Sequence, residues 1–326
     1  MLLALPFLGG PAYAPPASFD VLNANRVLHL AWSAYCNKTA LAAWNCQWCT
    51  GPQTFPQKME LVDFVNSTKA GTQGYVAVDH VGSRVLVGYR GSKNFQNAVE
   101  DATFYLTKAP FGPSDIRVEK GFLEAYESVR IPTLAMIELA HANCGANCSL
   151  LFTGHSLGGA MASLAAAEVA AAGKYQVQLY SYGSPRVGNK AWAAWAHGAL
   201  VASNGTVSLR MRRQLDIVPA IPPRSIGYMH LPTEVWDKHA EGQNDTYVVC
   251  DDSGEDPACG DSEETPPFPL DLCVQHATRL TLVPPTVATL HRQITELPLL
   301  FLCRLHLKPA EHTMYMGYKG GYCNGN

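Results

Sequence analysis

The sequence predicts an α/β fold in which a mainly parallel sheet carries helices on both faces. Three observations point to it. Short β-prone runs alternate with amphipathic stretches of a dozen residues or more, the order that lays parallel strands beneath crossover helices. Hydrophobic residues make up 47% of the 326 and charged residues 16%, enough apolar material for a core on each side of a sheet. Finally, Gly154-His155-Ser156-Leu157-Gly158 lies where one strand run ends and an alanine-rich helix opens.

The elements follow in order. Residues 1–14 are uncharged and end in Ala12-Tyr13-Ala14, the form of a secretory apolar region with its cleavage site. They lack the usual basic start, since the first cationic residue is Arg26. A single domain is expected over 15–326. Ser18 is placed to cap a helix running to about Tyr35, with Val21, Leu22, Leu28 and Trp32 on its apolar face. Strands are expected at 74–79 and 84–89 around the turn-prone Val81-Gly82-Ser83. A long amphipathic helix over 121–143 contains Pro132, a residue that kinks helices. Then come a strand at 149–153, a helix to Ala172, a strand at 176–182, a helix at 189–202 and a strand at 207–212. From Asp251 the chain turns acidic and polar, then rich in Pro and Leu as far as Pro309. No run reaches the roughly 18 apolar residues that span a bilayer, so no transmembrane segment is expected. The nearest approach, 297–307, carries Arg304 and His306.

Charge excludes one class of partner. Lys and Arg number 24 against 27 Asp and Glu, a net charge of −3 without a basic run, which leaves no electrostatic footprint for nucleic acid. The ten cysteines are an even set on a chain with an export-like start, and so read as disulfides of an extracellular protein. Cys46-x-x-Cys49 has two other readings, half a zinc site or a redox pair. Against them, there is no second C-x-x-C and no βαβ opening around the first. Sequons at Asn37, Asn66, Asn147, Asn204 and Asn244 fit glycosylation at exposed positions.

The chemistry centres on Ser156. A G-x-S-x-G pentapeptide alone is weakly specific, but here it stands between a strand and a helix, the context its chemistry requires. Gly154 and Gly158 let backbone pass close to backbone, and Gly159 and Ala160 let the helix pack tightly. The helix N-terminus brings N–H donors and the positive end of its dipole beside the hydroxyl. Those donors suit the oxyanion of a tetrahedral intermediate. A serine needs a base to take its proton and an acid to orient that base. Asp216 follows the strand at 207–212 and precedes Pro219–Pro223, whose prolines stiffen its loop. Six histidines come later: His230, His239, His276, His291, His306 and His312. Order and spacing do not choose among them.

Several separated motifs, in order, resemble the class 3 lipase family of α/β-hydrolases, in particular the secreted fungal triacylglycerol lipases. They are Val87-Gly88-Tyr89-Arg90-Gly91-Ser92, Lys120-Gly121-Phe122, and Thr153-Gly154-His155-Ser156-Leu157-Gly158-Gly159-Ala160. Next come Tyr182-Gly183-Ser184-Pro185-Arg186-Val187-Gly188-Asn189, Asp216-Ile217-Val218-Pro219, Gly227-Tyr228-Met229-His230 and Glu234-Val235-Trp236. The resemblance runs from about Ser18 to Cys259 and resumes at Glu311.

It implies an α/β-hydrolase fold and a triad of Ser156 as nucleophile, Asp216 as acid and His312 as base. The base is implied by the late His312-Thr313-Met314-Tyr315; His230 then belongs to a different motif. Ser92 and the N–H of Leu157 are implied as the oxyanion hole. A lid is implied at Lys93, Asn94, Phe95, Gln96, Asn97, Ala98 and Val99, where Phe95 and Val99 form a thin apolar stripe. The family also implies bridges Cys36–Cys323, Cys46–Cys49 and Cys250–Cys259. Cys144 and Cys148 are spaced to close a fourth, and Cys273 and Cys303 have no assigned partner. One departure stands out: 260–309 separates the small disulfide loop from His312. This stretch reads either as an insertion or as translated intron.

The implied activity is hydrolysis of carboxylic esters, chiefly acylglycerols met at a lipid–water interface, by a secreted enzyme needing no cofactor or metal and implying no protein partner. Two rivals remain, a feruloyl-type or short-chain esterase and a non-catalytic lipid-binding protein on the same fold.

Overall fold

The computed structural model describes residues 19–56, 58–92, 103–205, 208–214, 216–238, 247–260, 312, 314–315, 318–319 and 323. The expected leader, the lid at 93–99, nearly all of 260–309, and Cys273 and Cys303 lie outside these residues.

In chain order the elements begin with α1 (Val21–Ser33), α2 (Lys38–Ala42), β1 (Met59–Ser67), β2 (Thr72–Asp79) and β3 (Arg84–Tyr89). Then come β4 (Leu106–Lys108), β5 (Arg117–Glu119), α3 (Lys120–Cys144), β6 (Ser149–His155) and α4 (Leu157–Ala171). These are followed by β7 (Val177–Tyr182), β8 (Gly188–Asn189), α5 (Lys190–Ala202), β9 (Ser208–Arg213) and β10 (Tyr228–Met229). Last are β11 (Glu234–Asp237), β12 (Tyr247–Val249), β13 (Met314–Tyr315) and β14 (Tyr318–Lys319). The main sheet has eight strands in the order β1-β2-β3-β6-β7-β9-β11-β12. From β3 to β11 neighbours run parallel, while β1, β2 and β12 add antiparallel edges. A second sheet, β10-β8-β5-β4, and the β13-β14 ribbon account for the other strands among the described residues.

Two apolar cores divide the main sheet by the alternation of its side chains. On one face Val76, Val85, Val87, Leu150, Phe152, Val177 and Leu179 meet α3, α4 and α5. On the other, Tyr75, Ala77, Leu86, Leu151, Tyr180 and Tyr182 meet α1 and its following loop. Strands β3 and β6 are therefore buried on both faces, which is why the sequence displays Val85–Val87 and Leu150–Phe152 as continuous apolar runs. Helix α4 is buried almost all round, and its glycines and alanines permit that depth.

Several expectations shift. Asp20 caps α1, its carboxylate accepting the Asn23 N–H at 2.9 Å, in place of Ser18, which is outside the described residues. The packed face of α1 begins at Ala24, so Val21 and Leu22 are exposed while Leu28 and Trp32 are buried. Helix α3 runs unbroken through Pro132. Strand β1 escapes sequence reading because it is an edge strand, bulged between Leu61 and Asp63 and burying only Val65. Strand β11 escapes because its Glu234 and Asp237 are buried against arginines of β9, with Arg210 2.6 Å from Glu234.

Four disulfides close: Cys36–Cys323, Cys46–Cys49, Cys144–Cys148 and Cys250–Cys259. The sulfurs of Cys36, Cys46 and Cys323 lie within 4.8 Å of one another, but each is spent in a bridge, and metal ligation needs thiolate. The zinc reading of Cys46-x-x-Cys49 is thereby set aside for the bridged form. Asn37, Asn66, Asn147 and Asn204 are exposed; Asn244 lies outside the described residues. Among the described residues, no helix is long and apolar enough to cross a membrane.

Candidate active site

Ser156 occupies the turn between β6 and α4 with φ 59° and ψ −129°, a conformation that is costly for a residue bearing a Cβ. Close backbone packing holds it there. A Cβ on Gly154 would come 2.2 Å from the Gly158 carbonyl, and one on Gly158 would come 2.2 Å from the Tyr89 oxygen. The start of α4 thus lies directly on the end of β3, with no space for a methyl group. The Ser156 N–H donates to the Tyr182 carbonyl at 2.9 Å, tying the turn to β7.

The strand end that carries Ser92 abuts the same turn. A Cβ on Gly91 would sit 2.7 Å from the His155 carbonyl and 3.0 Å from Ser156 Cβ. Ser92 itself is half-buried, and Leu157 is the first residue of α4. Leu157 therefore directly follows Ser156, and Ser92 directly follows the glycine packed against it. The expected lid lies outside the described residues.

Asp216 and His312 meet across 96 positions of sequence, with His312 Nδ1 3.0 Å from both carboxylate oxygens. The carboxylate also accepts the Val218 N–H at 3.0 Å and the hydroxyl of Tyr315. Burial by itself pushes the Asp216 carboxyl up, but His312 and the hydrogen bonds from His312, Tyr315 and Val218 outweigh it and hold the group below the usual carboxylate range. The acid stays ionised and aligned with Nδ1, which directs Nε2 of the imidazole away from it. Gly183, with φ 56°, makes room: a Cβ there would lie 2.9 Å from Asp216 Oδ2 and 3.0 Å from His312 Cε1.

His155, the neighbour of Ser156, packs its ring on that of His312, centroids 4.4 Å apart. It is fully buried, and burial, with His312 beside it, lowers its pKa to about 3.

His230, the other histidine within a family motif, is elsewhere. Its Nε2–H donates to the Pro219 carbonyl at 2.7 Å and its backbone N–H to Glu255 at 2.7 Å. Burial, then Arg210 and Arg186, lowers its pKa well below the ordinary value. Its surroundings are an ion-pair layer in which Arg186 grips Glu255 through two 2.8 Å bonds. His239, His276, His291 and His306 lie outside the described residues.

Sequence reading gave no function to Tyr35, His155, Gly183 or Tyr315. His155, Gly183 and Tyr315 had a signal, since each lies inside a family motif. Tyr35 had none, since its partners are 56 and 120 positions away.

Residues 86–226 match the family model described as lipase (class 3). The secreted mono- and diacylglycerol lipase A of Penicillium cyclopium is 38% identical over 174 residues, 53% of this chain and 54% of that protein. The secreted mono- and diacylglycerol lipase 1 of Fusarium solani is 35% identical over 226 residues, 67% of this chain and 63% of that one. The chain thus spans a little over half the length of these curated relatives. The crystal structure of a lipase from Rhizopus microsporus var. chinensis superposes with a TM-score of 0.71 at 23% identity, covering 98% of this chain and 97% of that one, which establishes the α/β-hydrolase fold. With its motifs in order along that fold, the chain belongs to the class 3 lipase family.

Proposed function

We propose that the chain is a secreted serine hydrolase of carboxylic esters, acting on acylglycerols at a lipid–water interface. One observation carries the reading: a serine held in strained backbone at a strand–helix turn, with a buried Asp216–His312 pair packed on its neighbour. Secretion is supported by the four disulfides and by the printed names of the relatives.

In this reading Ser156 Oγ attacks the ester carbonyl carbon while His312 Nε2 takes its proton, and the carbonyl π pair moves onto oxygen. The N–H of Leu157 and Ser92 stabilise that oxyanion. Its collapse expels the alcohol, which leaves with the proton from His312. Water, deprotonated by the same imidazole, then cleaves the acyl-serine and frees the fatty acid. Asp216 keeps Nδ1 protonated and so leaves Nε2 to work as base.

A fluorophosphonate should label Ser156 in the native protein, and Ser156→Ala should abolish labelling and lower esterase activity by about a millionfold. Activity should rise sharply when triglyceride passes its solubility limit. Faster turnover of a soluble feruloyl ester, without that rise, would replace the lipase reading by the esterase one. An unlabelled native protein would sink both.

A further inference from the structure

The relay of hydrogen bonds beside the triad has a direction. His155 Nε2 lies 2.7 Å from the backbone carbonyl of His312. A carbonyl only accepts, so Nε2 carries the proton and donates. A neutral imidazole then has a bare Nδ1, and Tyr35 Oη at 2.9 Å donates to it. The Gly91 N–H in turn donates to Tyr35 Oη at 3.1 Å. Three bonds thus run from Gly91 through Tyr35 and His155 to His312, and all four residues are buried.

We propose that Tyr35 and His155 are a positioning pair that registers the imidazole of His312 and the oxyanion strand end at Gly91–Ser92 against Ser156. The inference rests on the triad reading above. His155 does not transfer the proton itself, because both its ring nitrogens are engaged and it is sealed from substrate. It acts through what it holds.

The geometry makes the role specific. Asp216 fixes one edge of the His312 ring, but an imidazole anchored at Nδ1 alone still swings with its backbone. The bond to the His312 carbonyl pins that backbone, so ring and main chain are held at two points. At the other end of the relay, Gly91 lies against Ser156 and carries Ser92 as its next residue. Tyr35 also precedes Cys36, whose bridge to Cys323 fastens the chain beyond His312. One short stretch after α1 therefore grips the tail covalently and, through the relay, aligns three separate parts of the site. Misplacement of a reacting group by an ångström costs about a hundredfold in rate, which sets the scale of effect.

The experiment compares Tyr35→Phe, His155→Gln and His155→Leu with the native enzyme. The readouts are kcat and KM on a soluble p-nitrophenyl ester, the fluorophosphonate inactivation rate, and the melting temperature. Tyr35→Phe removes a hydroxyl and keeps the ring. Gln retains an amide N–H able to reach the His312 carbonyl, whereas Leu leaves that carbonyl without its donor. The expected result is a kcat lowered about tenfold in Tyr35→Phe and about a hundredfold in His155→Leu. KM should hold within twofold, the inactivation rate should fall in parallel, and Gln should recover most of the loss. A kcat within twofold of native in folded Tyr35→Phe, or Gln no better than Leu, overturns the proposal while leaving the triad intact. If His155→Leu does not fold, Tyr35→Phe with the Gln variant decides by the same criteria. Failure of the native protein to react with the fluorophosphonate removes the triad reading, and the positioning role with it.

Discussion

At the elbow, Ser156 is located by backbone packed on backbone: Gly154 against Gly158, and Gly158 against Tyr89. At the acid–base pair, Asp216 and His312 are located by hydrogen bonds from three parts of the chain, with the Val218 N–H and the side chains of Tyr315 and His155 as their partners. The first region is rigid because nothing larger than hydrogen fits. The second is rigid because buried polar groups have few other partners to choose. Damage to the two should therefore look different. Loss of a contact in the side-chain region leaves a folded protein with a misaligned site, whereas added bulk at the elbow forces the sheet and helix apart.

The largest effect that sharpens this contrast is expected from Asp216→Asn. An amide is able to donate to Nδ1 and so leave Nε2 protonated, the wrong tautomer for a base. A loss of about 10⁴ in kcat is expected, as in serine hydrolases whose acid is replaced in this way, equivalent to about 5.5 kcal/mol. The circular dichroism spectrum should not change. Activity within tenfold of native would remove Asp216 from the mechanism.

Next come the two glycines, one in each region. Gly158→Ala places a methyl 2.2 Å from the Tyr89 oxygen, and backbone on both sides prevents relief. A loss of about 3 kcal/mol or more is expected from such overpacking, a large share of a stability of roughly 5–15 kcal/mol. Gly183→Ala meets side-chain atoms at 2.8–3.0 Å instead and suffers left-handed strain of about 1–2 kcal/mol. It should fold, and should lose activity out of proportion to stability because the displaced atoms belong to Asp216, His312 and Tyr315. Guanidinium midpoints beside kcat for both variants test the contrast; equal losses of stability with equal losses of activity would dissolve it.

The same division explains what the sequence made legible. Elbow residues are contiguous from Thr153 to Ala160, and close packing of backbone leaves a glycine spacing that can be read directly. Parallel strands β3 and β6 were legible because burial on both faces makes them apolar runs. The acid–base region was readable only through resemblance: chain order offered six histidines, and nothing local distinguished His312 from His230. What separates them is three-dimensional. His230 is closed in by Pro219, Glu255 and arginines, while His312 meets Asp216. Tyr35 was illegible for a related reason, since a buried Tyr looks like any core aromatic until its hydroxyl finds a partner. Edge strand β1 was lost to its bulge and β11 to its buried charges, both departures from the alternation by which strands are recognised.

The smallest effect, and the one that bears on the side-chain region alone, is acid sensitivity. His155 is buried, and burial first, with His312 second, lowers its pKa from 6.5 to about 3; that of His230 is lowered well below 6.5, chiefly by burial. A histidine kept neutral by the fold binds fewer protons than it does in the unfolded chain, so stability is fully present above pH 6.5 and declines as pH falls towards the folded pKa. At pH 5 each site costs about 2 kcal/mol relative to pH 7, the free energy of protonating a free imidazole. Asp216, whose carboxyl is held below its ordinary range, contributes stability above that range and adds a further decline only below about pH 4. The backbone contacts of Gly154 and Gly158 that hold Ser156 carry no titratable group, so the strain and close packing there are independent of pH. Denaturation midpoints at pH 7 and pH 5 should therefore fall in the native protein. In a folded His155→Gln variant the fall should be less steep by the share of one such site, because His29, His197 and His230, whose pKa values burial also lowers, still contribute. An identical slope in native and variant would mean that His155 is not held neutral by its burial, and the donor direction of the Tyr35–His155–His312 relay would have to be redrawn.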